Sequence, residues 1–280
     1  MQTIDILMVT YNSPESTRLA LTQLLQTCGE HMRVWLWHNG DHAETLAVVR
    51  SFRNHPRVFK FHHSEENVRL WAPMNWLLEN AQGDFISKVD DDNILPMGWA
   101  DTLVAAHNAN EQFGAIGCWR FQDEDFDPVA AEPKIKQFAG GHSLLQNFWV
   151  EGSCFLMKRK CVEEAGPLKT GQTFPQYCKA LALKGWVHGW YYPFIRYENL
   201  DDPRTPNTLI RTQADLEKRL PLSAQYNGIR TIEEWTDQLR HSALNAQTAS
   251  IDPNYWRGWR KFLRRLRVRT QRLLGKKERW

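Results

Sequence analysis

Between residues 4 and 118 the sequence alternates short β-rich runs with stretches of helical periodicity, and this alternation restricts the fold more than any other feature. Ile4 to Thr10 (IDILMVT) reads as a buried strand. Ser13 and Pro14 then supply an N-cap and a first-turn proline for an amphipathic helix through Leu19, Leu21, Leu24 and Leu25. Further strands are expected at Arg33 to His38, Val58 to His62, Asp84 to Val89 and Ala115 to Trp119, and helices at Ala43 to Phe52, Leu70 to Ala81 and Pro96 to Asn110. Strands joined through helices at this spacing form right-handed βαβ units, so the fold class is α/β with a mostly parallel, doubly wound sheet.

Past Phe121 the alternation loosens. An acidic loop (Asp123, Glu124, Asp125, Asp127) and Gly140-Gly141 precede an expected strand over Phe148 to Lys158. Helical stretches around Cys161 and Tyr177, a strand within GWVHGWYYPFI and the loop YENLDDPRTPN follow. No internal repeat or low-complexity linker divides the chain, which reads as one body whose second half shapes the substrate site. Five scattered cysteines without a C-x-x-C pair suggest neither a disulfide framework nor a zinc site. With no signal-peptide pattern and no apolar run long enough to span a bilayer, a cytoplasmic protein is expected.

In open α/β sheets ligands bind beyond the carboxyl ends of the strands, which gives weight to the polar residues found there. Thr10-Tyr11-Asn12 follows the first strand, His38-Asn39-Gly40-Asp41 the second, and Asp90-Asp91-Asp92-Asn93 the fourth. Three consecutive carboxylates repel one another, and a cation neutralising them relieves that; hard oxygen ligands favour Mg²⁺ or Mn²⁺. The alternative is a solvated acidic turn ahead of the helix that starts near Pro96.

The ordered set VTYN, HNGD, Asn75 and GDFISKVDDDN resembles the family 2 glycosyltransferases of the GT-A fold over roughly residues 4 to 118. By that resemblance the chain has a nucleotide-sugar-binding half (1–120), an acceptor-binding half (121–250) and a tail (251–280). Thr10, Tyr11, Asn12 and Arg69 would line the nucleotide site, Asp90 and Asp91 would hold the ribose or metal, and Asp92 would ligate Mn²⁺ or Mg²⁺. Asn75 either belongs to this set or locks its helix to the sheet. The resemblance implies transfer of a sugar from a nucleotide-diphosphate donor to a glycan or glycolipid acceptor, with inversion at the anomeric carbon.

Two departures from the family pattern bear on the chemistry. His38 stands where the family has Asp, so base recognition either rests on Asp41 or differs altogether. The stretch GQTFPQYCKALALKG has no acid where the family places its catalytic base. Glu151, beside Trp149 and Gly152, is the first candidate to replace it, unless it is merely an edge carboxylate. Asp201 and Asp202, with Glu198 nearby, are the reserves. GPLKTGQT mimics a phosphate loop but has Gln172 in place of the lysine and reads as a turn. A sugar-1-phosphate nucleotidyltransferase would carry a Gly-rich, Arg-containing loop where this chain has TYNSPEST. A non-catalytic nucleic-acid or membrane-binding protein is the remaining alternative, with nucleic acid disfavoured by the ordered motifs.

From Trp256 to Trp280 there are eleven basic residues and one acid, Glu278, so the rest of the chain is net acidic. At 100° per residue, Trp256, Trp259, Phe262, Leu263, Leu266, Leu273 and Leu274 share one side of a helix and most of the arginines the other. Such a basic amphipathic helix either packs on the acidic body or lies in an anionic membrane interface. The membrane reading makes the protein peripheral on the inner face of the plasma membrane, acting on lipid-linked saccharides in bacterial surface polysaccharide or lipopolysaccharide assembly.

Overall fold

The structure is a computed structural model that describes residues 2–256, so the tail helix expected over 256–280 lies outside the described residues. The first half follows the expected alternation: β1 (Ile4–Thr10), α1 (Pro14–Thr27), β2 (Met32–Asn39), α2 (Ala43–Phe52), β3 (Val58–Ser64), α3 (Trp71–Asn80) and β4 (Phe85–Asp90). Then come β5 (Asn93–Ile94), α4 (Trp99–Ala109), β6 (Phe113–Gly117), α5 (Pro128–Ala131), β7 (Ile135–Gln137), β8 (Ser143–Asn147) and β9 (Cys154–Lys158). The remaining elements are α6 (Arg159–Ala165), α7 (Phe174–Ala182), β10 (Val187–Tyr192), β11 (Glu198–Asn199), α8 (Gln213–Arg219), α9 (Leu222–Tyr226) and α10 (Ile232–Thr248).

Nine strands form one sheet in the order β3-β2-β1-β4-β9-β6-β10-β8-β7. The first four are parallel, but β9 is antiparallel to both β4 and β6, and β8 is antiparallel to β10, so the sheet is mixed. The strand expected over Phe148 to Lys158 is correspondingly shorter and begins only at Cys154. The reason is topological: β8 sits near one edge and β9 in the middle of the sheet, so residues 148–153 must cross between them. That crossing runs over the end of β4, where the Asp90 N–H donates to the Ser153 carbonyl at 2.9 Å.

Period-two alternation distributes the strand side chains between two cores. Ile4, Ile6 and Met8 of β1 meet Leu21 and Leu24 of α1 and Leu103 of α4 on one face. Leu7, with Trp35 and Trp37 of β2, meets Met74 and Leu77 of α3 and Leu181 of α7 on the other. A third, smaller core of Ile210, Leu216, Ala224, Ile229, Trp235 and Leu239 belongs to α8, α9 and α10 and their connections.

One polar group interrupts the apolar run of β1. Asp5 is fully buried and its carboxylate accepts five hydrogen bonds. Arg33 donates through Nε and Nη2 at 2.7 and 2.8 Å, Trp35 Nε1 at 2.8 Å, and the backbone N–H groups of Gln82 and Gly83 at 3.0 and 2.6 Å. The carboxylate thus ties β2 and the turn before β4 to β1. A Cβ on Gly83 would lie 2.8 Å from both Asp5 Oδ2 and the Thr3 carbonyl, so this turn requires glycine. Replacing Asp5 by alanine leaves several donors without an acceptor and is expected to lower unfolding free energy by about 2–4 kcal/mol, measured by urea denaturation. A loss under about 1 kcal/mol would mean that the donors find water instead.

Candidate active site

The register of the parallel strands brings their carboxyl ends to one line: Thr10 pairs with His38, and Val9 with Asp90. Thr10 itself is fully buried, and its hydroxyl lies 2.9 Å from His38 Nδ1. It sits beneath the strand ends, against the ring of His38. His38 is also fully buried, and burial, reinforced by His63 and His42, lowers its pKa to about 4, so the ring is neutral at pH 7. Tyr11 packs its ring over Gly40, where a Cβ would come within 3.3 Å and φ is +91°, both of which favour glycine. Asn12 is exposed with φ 46°, and Asp41 is exposed just beyond β2. Asn39 accepts from the Val68 N–H at 3.2 Å and donates to the Arg69 carbonyl at 3.2 Å, fixing the turn that sets Arg69 (φ 64°) at the rim.

Each member of the acid triplet meets a different environment. Asp90 is paired with Lys88, whose Nζ also donates to the Gly152 carbonyl at 2.7 Å. Asp91 accepts from the Tyr11 N–H at 3.2 Å and from Thr17 Oγ1 at 2.9 Å, which commits it to the start of α1. Burial, with Asp90 and Asp201 adding repulsion, raises its pKa to about 7. Asp92 has the least compensation: Oδ1 is buried without a hydrogen-bond partner, and burial together with Asp201, Asp90 and Asp91 drives its pKa well upward.

Asp201 is brought here by a two-stranded ribbon. β11 pairs antiparallel with β5, Asn199 Nδ2 donates to Asn93 Oδ1 at 3.0 Å, and the Leu200 N–H donates to the Asp92 carbonyl at 2.8 Å. Trp235 of α10 closes the arrangement by donating its indole N–H to the Asp201 carbonyl at 2.7 Å. Burial raises the Asp201 pKa to about 6, against the pull of Arg219 and Arg120. Its carboxylate makes no hydrogen bond among the described residues.

The other two candidate bases are already engaged. Glu151 lies on the crossing segment and is held by Arg120 through two bonds of 2.9 Å. Asp202 is buried and receives Arg204 at 2.9 and 3.0 Å and Gln122 at 3.2 Å. Arg204 also grips Asp125 at 2.7 and 2.9 Å, so Asp202 is tied to the acidic loop. Asn75 ties α3 to the α6–α7 connection rather than to the sheet, bonding the Leu168 carbonyl and N–H at 2.8 Å each. Lys88 and Arg120 are site residues that sequence reasoning missed. A lysine two residues before Asp90 in an otherwise apolar strand faces the same side as Asp90, and that was the available signal.

Among the described residues no three His, Cys, Asp or Glu side chains converge into a preformed metal cage. The unpartnered Asp92 oxygen amid other carboxylates nonetheless suits a hard divalent cation of the Mg²⁺ type, which is commonly held by one or two carboxylates with the remaining positions left to phosphates and water.

The architecture is shared with solved glycosyltransferases of low sequence identity. A mannosyltransferase from Pyrobaculum calidifontis, solved in complex with GDP-mannose and Mn²⁺, superposes with a TM-score of 0.58 at 16% identity, covering 96% of this chain and 80% of that one. Residues 1–349 of S. aureus TarS give a TM-score of 0.53 at 14% identity, covering 91% of this chain and 74% of that one. The same segment has been solved with UDP and with UDP-GlcNAc. At these identities the likeness establishes the fold. The sequence itself matches the model of glycosyl transferase family 2 over residues 5–166, more than half of its length and the stretch that holds the strand ends, the acid triplet and β9. The chain is therefore a transferase that belongs to glycosyl transferase family 2.

Proposed function

We propose that the protein transfers a glycosyl group from a nucleoside-diphosphate sugar to a hydroxyl of a saccharide or lipid-linked saccharide, with a divalent cation at Asp92 and Asp90. The observation that carries this reading is the buried, unpartnered Asp92 oxygen at the strand ends, faced by three further carboxylates. The neighbours solved with GDP-mannose and Mn²⁺ and with UDP-GlcNAc support the donor class. Bound there, Mn²⁺ or Mg²⁺ would act as a Lewis acid towards the departing diphosphate.

This chain's own residues supply the rest. Tyr11, Asn12, Asp41 and Arg69 lie around the strand ends and bind the nucleotide. Lys88 offsets the charge of Asp90, which lessens the repulsion that a dication at Asp92 has to relieve. Asp201 takes the proton of the acceptor hydroxyl, since of the three candidate acids its carboxylate alone is uncommitted among the described residues. Glu151, clamped by Arg120, shapes the acceptor side instead. Attack on the face opposite the diphosphate inverts the anomeric centre, in keeping with the family resemblance.

The location follows from the tail. No helix of the described residues is long and apolar enough to cross a membrane. The basic amphipathic stretch 256–280 would hold the enzyme on the anionic cytoplasmic leaflet, each cation near the surface contributing about 1 kcal/mol. There it would meet lipid-linked acceptors of surface polysaccharide or lipopolysaccharide assembly.

Asp92→Asn is expected to abolish transfer and remove the Mn²⁺ dependence of nucleotide binding in calorimetry. The same change should raise the metal-free melting temperature, because it removes a buried charge that repels its neighbours. An active mutant with unchanged metal dependence would overturn the assignment. Asp201→Asn should lower turnover by about 100-fold or more with donor affinity preserved, whereas Glu151→Gln should fall less and act chiefly on the acceptor KM. The opposite order would return the proton to Glu151. Cutting the chain before Trp256 is expected to release it from anionic liposomes while transfer to a soluble acceptor continues. Continued sedimentation of the truncated chain with liposomes would assign the tail to packing on the body.

A further inference from the structure

The α8–α9 pair packs its apolar side into the third core, which is separate from the two cores of the sheet. Two charged contacts join it to the body, and both fall beside the strand ends. Arg219, the last residue of α8, pairs through Nη2 with Oε2 of Glu15 in the first turn of α1. Tyr226, the last residue of α9, lies under the Arg69 guanidinium at 5.7 Å from the ring centroid. Between the helices Leu220 takes φ 22°, a value unfavourable for any side-chain-bearing residue, and its carbonyl is held by Gln225 Nε2 at 2.7 Å. The pair therefore shares a separate core with α10, has a strained joint immediately after Arg219, and is joined to the body by a salt bridge at Glu15 and a cation–π contact at Arg69.

Glu15 shares the first turn of α1 with Thr17, whose hydroxyl donates to Asp91 at 2.9 Å, so the Arg219 guanidinium is held beside the acid triplet. Its present partner is a weak one: the Glu15 side chain is 61% exposed, and water screens the pair from that side. A diphosphate carries more charge and offers the paired oxygens that a guanidinium fork matches, so it competes strongly for the same cation.

We propose that Arg219 is a diphosphate-binding residue held in reserve on Glu15, and that the α8–α9 pair closes over the nucleotide when the guanidinium transfers from Glu15 to the phosphate oxygens of the donor. The inference deepens the glycosyltransferase reading and rests on it. Calorimetric titration of the full chain in Mn²⁺ with UDP, GDP, UMP and GMP separates the two ideas. In the native chain a diphosphate should bind more tightly than its monophosphate. Arg219→Gln should weaken the diphosphate about tenfold or more while changing the monophosphate little, and Arg219→Lys should restore part of the loss. Glu15→Gln, which frees the guanidinium without touching it, should tighten diphosphate binding several-fold. If Arg219→Gln keeps the native preference for diphosphate, or Glu15→Gln weakens binding, the contact is a structural clasp and the inference is overturned. If the native chain binds none of the four nucleotides, the donor reading itself fails and takes this inference with it.

Discussion

Three carboxylates in succession at the end of one buried strand can coexist only if each is compensated differently, and the surroundings of this site follow from that requirement. Asp90 receives an internal cation from Lys88, two residues earlier on the same strand. Asp91 is turned to the start of α1, where a backbone N–H and a threonine hydroxyl take up its charge. Asp92 receives no such partner on Oδ1 and faces a fourth acid, Asp201. The fold thus leaves one site of uncompensated negative charge, and it lies where parallel α/β sheets present their ligands.

The second half of the chain serves this site mainly through its connections. The segment between β8 and β9 has to cross the end of β4, and that crossing delivers Gly152, Glu151 and the Ser153 carbonyl to the neighbourhood of Asp90. The short β5–β11 ribbon carries Asp201 to Asp92, and the indole of Trp235 fixes the Asp201 backbone from α10. The second half's contribution to the site therefore arrives on loops whose paths are set by strand order, while the first half's is built from the strand ends themselves.

The first four strands and their helices were legible because their apolar periodicities are local, and α2 matched to the residue. The insertion of β9 between β4 and β6 was not, since nothing in CFLMK records which strands it will lie between. Asp5 was passed over as one polar residue in an apolar strand, although the donors that satisfy it come from two distant segments, β2 and the turn before β4. The triplet was legible as chemistry, but its division of labour depends on Thr17 and Lys88 geometry that spacing does not encode. Among the candidate bases, Glu151 and Asp202 looked available only because their arginine partners, Arg120 and Arg204, are recognisable as partners solely in the folded chain.

The place of β9 also bears on how the chain is assembled during synthesis. β4 ends at Asp90 and β6 at Gly117, yet the strand that joins them begins only at Cys154. At roughly 5–20 residues per second, a ribosome leaves both strands without their shared neighbour for several seconds. Each then presents an unpaired row of backbone donors and acceptors, the arrangement most prone to wrong pairing with other chains. The nascent protein is consequently open to such wrong pairing after the ends of β1, β2 and β4 have been made and before its central antiparallel strand has emerged.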